Sequence, residues 1–237
     1  QPSRVIATLG TAALLWLLLA GGLGRALAPG MGGEGAGYAG VLLPGMISLV
    51  ALFGSVFASI SLITDRHEGF LRGVMAGPAP RWSIAAGKLG GTLVVCLSQC
   101  VVLLLAAPVA GLSLDATHAI GALFAAAMMC LGVGGISLAL AWEIDSVEGF
   151  HGVMNTLLMP MWLLSGAFYD PGDAHPVLRL IAAVNPLAWV TRVLRDALHA
   201  GGDPALVWHW AGSVLFAAAG AGAAWWSMAR PRTIRAS

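Results

Sequence analysis

The chain has 237 residues, of which 58% are apolar and only 10% charged, where a soluble domain carries about 25% charged. Twelve Lys and Arg with 11 Asp and Glu cannot coat a soluble globule of this size. The apolar excess excludes disorder, and a net charge of +1 offers no basic face to nucleic acid.

In chain order, residues 5–24, 35–64, 89–114, 116–142, 149–169 and 204–229 contain no Asp, Glu, Lys or Arg. A helix rises about 1.5 Å per residue, so about 20 apolar residues cross a hydrocarbon core about 30 Å thick. The sequence therefore predicts an all-α membrane protein, a single transmembrane domain over residues 1–237 with six spans. These fall at about 5–23, 41–63, 89–110, 118–141, 150–168 and 206–228. Barrel strands of about 10 alternating residues do not fit runs this long and uniform. The first run exceeds the apolar core of a signal peptide, and Gln1 is not an initiator Met. The expectation is that the numbering begins inside a longer product or after processing.

Lys and Arg set the orientation. With the N-terminus inside, the inner segments hold eight (Arg4; Arg66, Arg72, Arg81, Lys88; Arg230, Arg232, Arg235) and the outer segments four (Arg25; Arg179, Arg192, Arg195). Both termini are expected to be cytoplasmic. Trp82, Trp142, Trp208, Trp210, Trp225 and Trp226 fall near span ends, where rings sit among headgroups. Trp16 and Trp162 lie inside spans and need another role.

Between the first two spans, residues 30–40 form a glycine-rich outer linker whose glycines are too scattered for a phosphate loop. Residues 64–88 (TDRHEGFLRGVMAGPAPRWSIAAGK) are the densest charged stretch. Arg66 to Met75 can form a short helix that Pro78 and Pro80 break. Two readings stand open: an interfacial inner loop obeying the charge rule, or a docking element for a cytosolic partner. Residues 170–203 form the longest outer segment. Its apolar part at 176–184 precedes Asn185 and Pro186, an N-cap and first-turn pair for a second short helix. Leu187, Val190, Leu194 and Leu198 then make one stripe, and Arg192, Arg195 and His199 another, before Gly201 and Gly202 end the helix. Arg192 and Asp196 stand at helical i, i+4 spacing. A surface hairpin and a lid over an exit path are both compatible with this pattern.

The chemistry that is missing narrows the function. GxxxxGK[ST], HExxH, CxxC and GxSxG do not occur. Cys96 and Cys100 share a helical face; a metal pair is conceivable, but buried thiols acting as small hydrophobes are favoured. The spans hold no Asp, Glu, Lys or Arg, whereas ion-driven carriers keep ionisable groups within the membrane. Any transport work therefore enters from a partner. Gly121/Ala125, Ser213/Ala217 and Ala218/Gly222 are small residues four apart, suited to close helix packing within the chain or between copies.

Three segments resemble the membrane permeases of ABC-2 type exporters, which include drug-efflux and lipo-oligosaccharide export permeases of bacteria. They are QPSRVIATLG at the start, ITDRHEGFLRGVMAGPAPRWSIAAGK at 63–88, and LLSGAFYDPGDAHPVLRLIAAVNPLAWVTRVLRDAL at 163–198. The residues given begin at the entry to the first span, so the amphipathic N-terminal helix that precedes it in the family is expected to lie before Gln1. The resemblance implies a coupling helix between spans 2 and 3 that touches an ATPase through Glu68, Gly69, Phe70, Arg72, Pro80 and Arg81. It implies outer re-entrant helices between spans 5 and 6, with Asn185, Pro186, Arg192 and Arg195 at the gate. It implies a substrate path along Met46, Phe53, Phe57, Asn155, Leu158, Met161 and Trp162, although such stripes are more often plain core.

The expected protein is thus a non-enzymatic permease subunit in a bacterial plasma membrane, exporting an amphipathic, lipid-linked or drug-like cargo. Its expected partners are two copies of a soluble ABC ATPase that bind ATP and Mg, a second permease copy (homodimer or heterodimer), and membrane lipid. It has no cofactor of its own and no nucleic-acid partner. The alternatives are a six-span ion-driven carrier, a membrane enzyme, or a membrane anchor subunit.

Overall fold

The computed structural model describes residues 38–77, 80, 82–112, 115–169, 175–199 and 206–230, together with Gly10, Ala13, Leu14 and residues 16–18. The expected first span therefore lies mostly outside the described residues, as do the gate-flanking glycines and Arg81. Within the described residues the chain is helical, without strands.

Helix α1 (Tyr38–His67) is 30 residues long, about 45 Å, and is the central element. Nearly every side chain from Leu42 to Val56 is buried, and α1 touches most of the other helices. Gly69, at φ 77°, ends it in a left-handed turn that L side chains avoid. A separate short helix, α2 (Phe70–Ala76), follows. The expected single helix from Arg66 to Met75 is thus two pieces, because Gly69 breaks it; Arg66 belongs to α1 and Glu68 to the turn. Next come α3 (Trp82–Leu104), a 3-10 turn at Ala107–Ala110, and α4 (Ala116–Glu143). The helix thus ends before the expected limit of 110, where Pro108 and Gly111 (φ 78°) shape the turn. Asp115 caps α4 by accepting the His118 backbone N–H at 2.9 Å. That N–H, with the nearby His118 side chain, holds the Asp115 carboxyl below its usual range.

Helix α5 (Val147–Leu163) starts at the Ser146 cap, whose hydroxyl accepts the Gly149 N–H at 3.1 Å. It is 17 residues long and stops short of the expected 168. Gly166 turns the chain at φ 82°, and the Ser165 hydroxyl bonds the Trp162 carbonyl at 2.6 Å. Helices α6 (Pro176–Val184) and α7 (Pro186–His199) follow, bent by 96° at Asn185. The last helix is α8 (Leu206–Ala229).

Among the described residues four helices, α1, α3, α4 and α8, are long and apolar enough to cross a membrane, or five if the bent α6–α7 pair is one span. Of the six expected spans, the second, third, fourth and sixth correspond to α1, α3, α4 and α8, the fifth to the 17-residue α5, and the first lies mostly outside the described residues. The packing places the ends. Helices α4 and α8 run side by side in the same direction: Phe124 faces Trp210 (5.6 Å between rings), and Gly135 meets Gly220 eleven and ten residues further on. One end of the bundle collects Arg66, Lys88 and Asp145; the other collects the α4 N-terminus, the turn after α5, and α6–α7. The α5 C-terminus and the α8 N-terminus both lie at this second end, beside the bent pair.

Backbone contact without side chains holds α4 against α8. A Cβ on Gly135 would sit 2.1 Å from the Gly220 carbonyl, and one on Gly220 would sit 2.3 Å from the Gly132 carbonyl. Of the small pairs read from the sequence, Ser213 and Ala217 are buried, but Gly222 has open space around it. Gly135→Ala and Gly220→Ala should each destabilise the fold by about 1–3 kcal/mol through overpacking. Gly222→Ala should be neutral or slightly stabilising, because Ala favours helix. SDS-titration unfolding of the three variants checks the contrast.

Candidate functional site

The first cluster forms where α1 hands over to α2. Asp65 pairs with Lys88 Nζ, which also donates to Ser61 Oγ at 2.8 Å, so α3 begins tied to the last turns of α1. Arg66 reaches across to the end of α4. Its guanidinium donates to the carbonyls of Ala141 (2.8 Å), Trp142 (2.9 Å) and Ile144 (3.3 Å), and to Asp145 Oδ1 (2.7 Å). It also lies 5.5 Å from the centre of the Trp142 ring. Trp142 is consequently buried at 4% exposure, rather than standing among headgroups as its place near a span end suggested. A cation at a helix C-terminus satisfies the orphan carbonyls and complements the helix dipole.

These two clamps hold a surface outward. Leu71 is buried and anchors α2, while Glu68, Phe70, Gly73 and Pro80 are exposed; Phe70 retains 63% exposure. Gly69 stands between them in its left-handed turn. The backbone of Arg72 lies on α2; its side chain and Arg81 lie outside the described residues.

The second cluster is at the opposite end. Asn185 is buried at the α6–α7 bend, where its Oδ1 accepts the Leu187 N–H at 3.0 Å and its Nδ2 donates to the Met161 carbonyl at 2.6 Å. The Asn-Pro N-cap expected from sequence is therefore formed, with a further bond to α5. Arg195 Nη2 donates to the carbonyls of Gly166 (2.6 Å) and Tyr169 (3.1 Å). Trp189 Nε1 donates to Ala183 O at 2.9 Å across the bend. Leu187, Val190, Leu194 and Leu198, the expected stripe, are all buried. Pro186 opens α7, and Arg192 is half-buried on it. Asn185 and Arg195 thus bond carbonyls in the last turn of α5 and in the turn that follows it.

The seven residues expected along a substrate path do not share one surface. Met46, Leu158 and Trp162 are buried in the interior, with Trp162 Nε1 donating to Ser48 Oγ at 3.0 Å and its ring packed edge-on to Phe168. Phe53 and Phe57 are half-buried with rings 6.0 Å apart, and Phe57 lies 6.1 Å from His151 on α5. Met161 is half-buried, while Asn155 stands on the exposed face of α5. Trp16, the other tryptophan inside a span, donates to Ala39 O at 2.9 Å.

Cys96, Cys100 and Cys130 are buried free thiols, with Cys96 Sγ 3.9 Å from Ser55 Oγ. Among the described residues no group of three or more His, Cys, Asp or Glu side chains could hold a metal ion.

Residues 2–199 match the family described as ABC-2 type transporter. The chain belongs to this family. Among curated proteins it is 27% identical over 185 residues to the transport permease ycf38 of Cyanophora paradoxa, covering 77% of this chain and 63% of that protein. It is 28% identical to the ycf38 of Pyropia yezoensis, covering 78% of this chain and 66% of that one. It is 25% identical over 204 residues to a protein of Escherichia coli K12 named multidrug ABC transporter permease YbhR, covering 83% and 54% respectively. The chain therefore spans between about half and two-thirds of the length of these relatives. Membership and the long apolar helices together make it a multi-pass membrane protein of the ABC-2 type transporter family.

The sequence flagged the 64–88 loop and the Asn-Pro bend but not the α4 cap. Arg66 and Asp145 are 79 positions apart, and no short motif links them. The only available signal was an Arg at the end of an apolar run.

The Asn185 bonds give a test. Asn185→Ala should destabilise by about 1–3 kcal/mol, since it leaves buried groups unpaired. Asn185→Asp keeps the acceptor for Leu187 but sets a buried carboxylate oxygen against the Met161 carbonyl oxygen, and at neutral pH should destabilise at least as much as Ala in the same unfolding assay.

Proposed function

We propose that this chain is the permease subunit of an ATP-driven exporter, powered by a separate ATPase. The observation that carries the reading is the exposed Glu68–Phe70–Gly73 surface, held out from the bundle by the Asp65–Lys88 and Arg66 clamps. An exposed Phe beside a Glu, on a turn braced from two sides, suits a protein contact better than a lipid-lying loop. Glu68, Gly69, Phe70, Arg72, Pro80 and Arg81 are the proposed contact set. ATP and Mg would be bound by the ATPase, two copies serving two permease copies, in a homodimer or a heterodimer.

In this mechanism the ATPase binds one conformation of the permease better than another and so shifts its population. Closure of the ATPase pair draws the α2 surfaces together. At the far end, α6 and α7 act as a re-entrant gate, with Asn185, Pro186, Arg192 and Arg195 at its hinge. Arg195 and Asn185 tie the gate to the turn after α5, so a shift of α5 is felt there directly.

The cargo is proposed as amphipathic, lipid-linked or drug-like, moving outward across a bacterial plasma membrane with both chain termini cytoplasmic. The relative named as a multidrug permease supports this class. Phe53, Phe57, Met161 and Asn155 keep some exposure and could meet cargo without rearrangement. Met46, Leu158 and Trp162 would need the interior to open first.

Copurification tests the docking surface. Glu68→Arg or Phe70→Glu should cut recovery of a P-loop ATPase at least about tenfold, equivalent to about 1.4 kcal/mol of binding. Unchanged recovery, with unchanged stimulation of ATP hydrolysis, would remove the coupling assignment. Single cysteines at Gly73 and Val177 should label from opposite membrane faces; labelling from one face would contradict the topology.

A further inference from the structure

Resting on the reading of α2 as the ATPase contact, we infer that Arg66 is the positioning residue that makes the α4–α5 junction move with α2. Arg66 lies four residues before Phe70, across the single left-handed turn at Gly69, and so stands at the base of α2. The guanidinium then grips the short segment where α4 ends and the link to α5 begins. It bonds the carbonyls of residues 141, 142 and 144 and the carboxylate of Asp145, and it lies over the Trp142 ring.

That segment is the link between two helices. Only Ile144, Asp145 and Ser146 separate α4 from α5, and Ser146 is already the α5 cap. Moving Asp145 therefore moves the start of α5. Helices α4 and α5 pack sparsely against each other, which leaves Arg66 as a principal tie at this end. The Asp65–Lys88–Ser61 clamp adds the start of α3 to the same body. Three carbonyls and a carboxylate need a planar fork of donors. A Lys ammonium has the charge but not that geometry, so Arg66→Lys removes the grip while keeping the cation.

The experiment uses the full chain with its copurified ATPase in lipid nanodiscs. Spin labels at Ala76, the exposed last residue of α2, and at Glu148 in the first turn of α5 report one intrachain distance, with labelled chain diluted in unlabelled chain. In wild type this distance should be the same nucleotide-free and after trapping with ATP and vanadate. In Arg66→Lys it should match wild type without nucleotide but shift by about 2 Å or more, or broaden, on trapping. ATPase copurification and stimulation are measured in the same samples, and loss of either in Arg66→Lys would assign the residue to docking rather than to positioning and overturn the inference. A merely structural role would alter the nucleotide-free distance instead. Asp145→Asn, which keeps the three carbonyl bonds, should give a smaller shift and guards against misfolding of the Lys variant. Equal distances in wild type and Arg66→Lys in both states, with ATPase stimulation intact, overturn this inference alone. If the wild-type chain neither binds nor stimulates a P-loop ATPase, the coupling reading falls and this inference with it.

Discussion

A helix that runs through hydrocarbon can satisfy every backbone group except those at its ends, and the ends are where this structure concentrates its charges. The last carbonyls of α4 have no partner within the helix. Arg66 supplies that partner from α1, 75 to 78 residues away in sequence. The bond set joins the central helix, the α4–α5 link and the base of α2 in one place. At the other end Asn185 and Arg195 play the corresponding part, since each donates to carbonyls at or just beyond the end of α5. The bundle is therefore pinned at one end by a side chain from the last turn of α1 and at the other by side chains of the bent α6–α7 pair.

Between those pins the packing relies on missing side chains. Gly132, Gly135 and Gly220 let α4 and α8 touch backbone to backbone, and Gly45 lets α1 approach the Ala167 carbonyl, where a Cβ would lie at 2.1 Å. In lipid there is little hydrophobic gain in burying one apolar side chain against another, so close approach and dispersion carry more of the association. Helix α1 gains most from this arrangement because other helices surround it. Helix α5 is held mainly by α1, through the Trp162–Ser48 bond, and by the braces at its ends. A helix attached in this way can shift as a unit when its ends are moved, which is the property a transport cycle needs.

Much of this was legible in the sequence. Charge exclusion located the long helices, because a charged side chain in hydrocarbon is costly wherever it occurs. The Asn185-Pro186 pair announced the start of α7, because capping is local chemistry. Helix limits were less legible: α5 ends early because Gly166 adopts a positive φ, and α1 separates from α2 because Gly69 does. Neither conformation is visible in composition. The partners of Arg66, Trp16 and Trp162 were not legible either, since each bond joins residues distant in sequence. Small-residue spacing pointed to α4 and α8 but selected Gly222, which faces open space, ahead of Gly220, which makes the contact.

The central claim is that the surface around Phe70 is where an ATPase engages this member of the ABC-2 family. A photo-crosslinking residue placed at Phe70 in cells tests it most directly. The account predicts a covalent adduct to a protein with a P-loop, identified by mass spectrometry, whose yield changes when ATP is depleted. Adducts to lipid alone, or to a protein of the opposite membrane face, would contradict it.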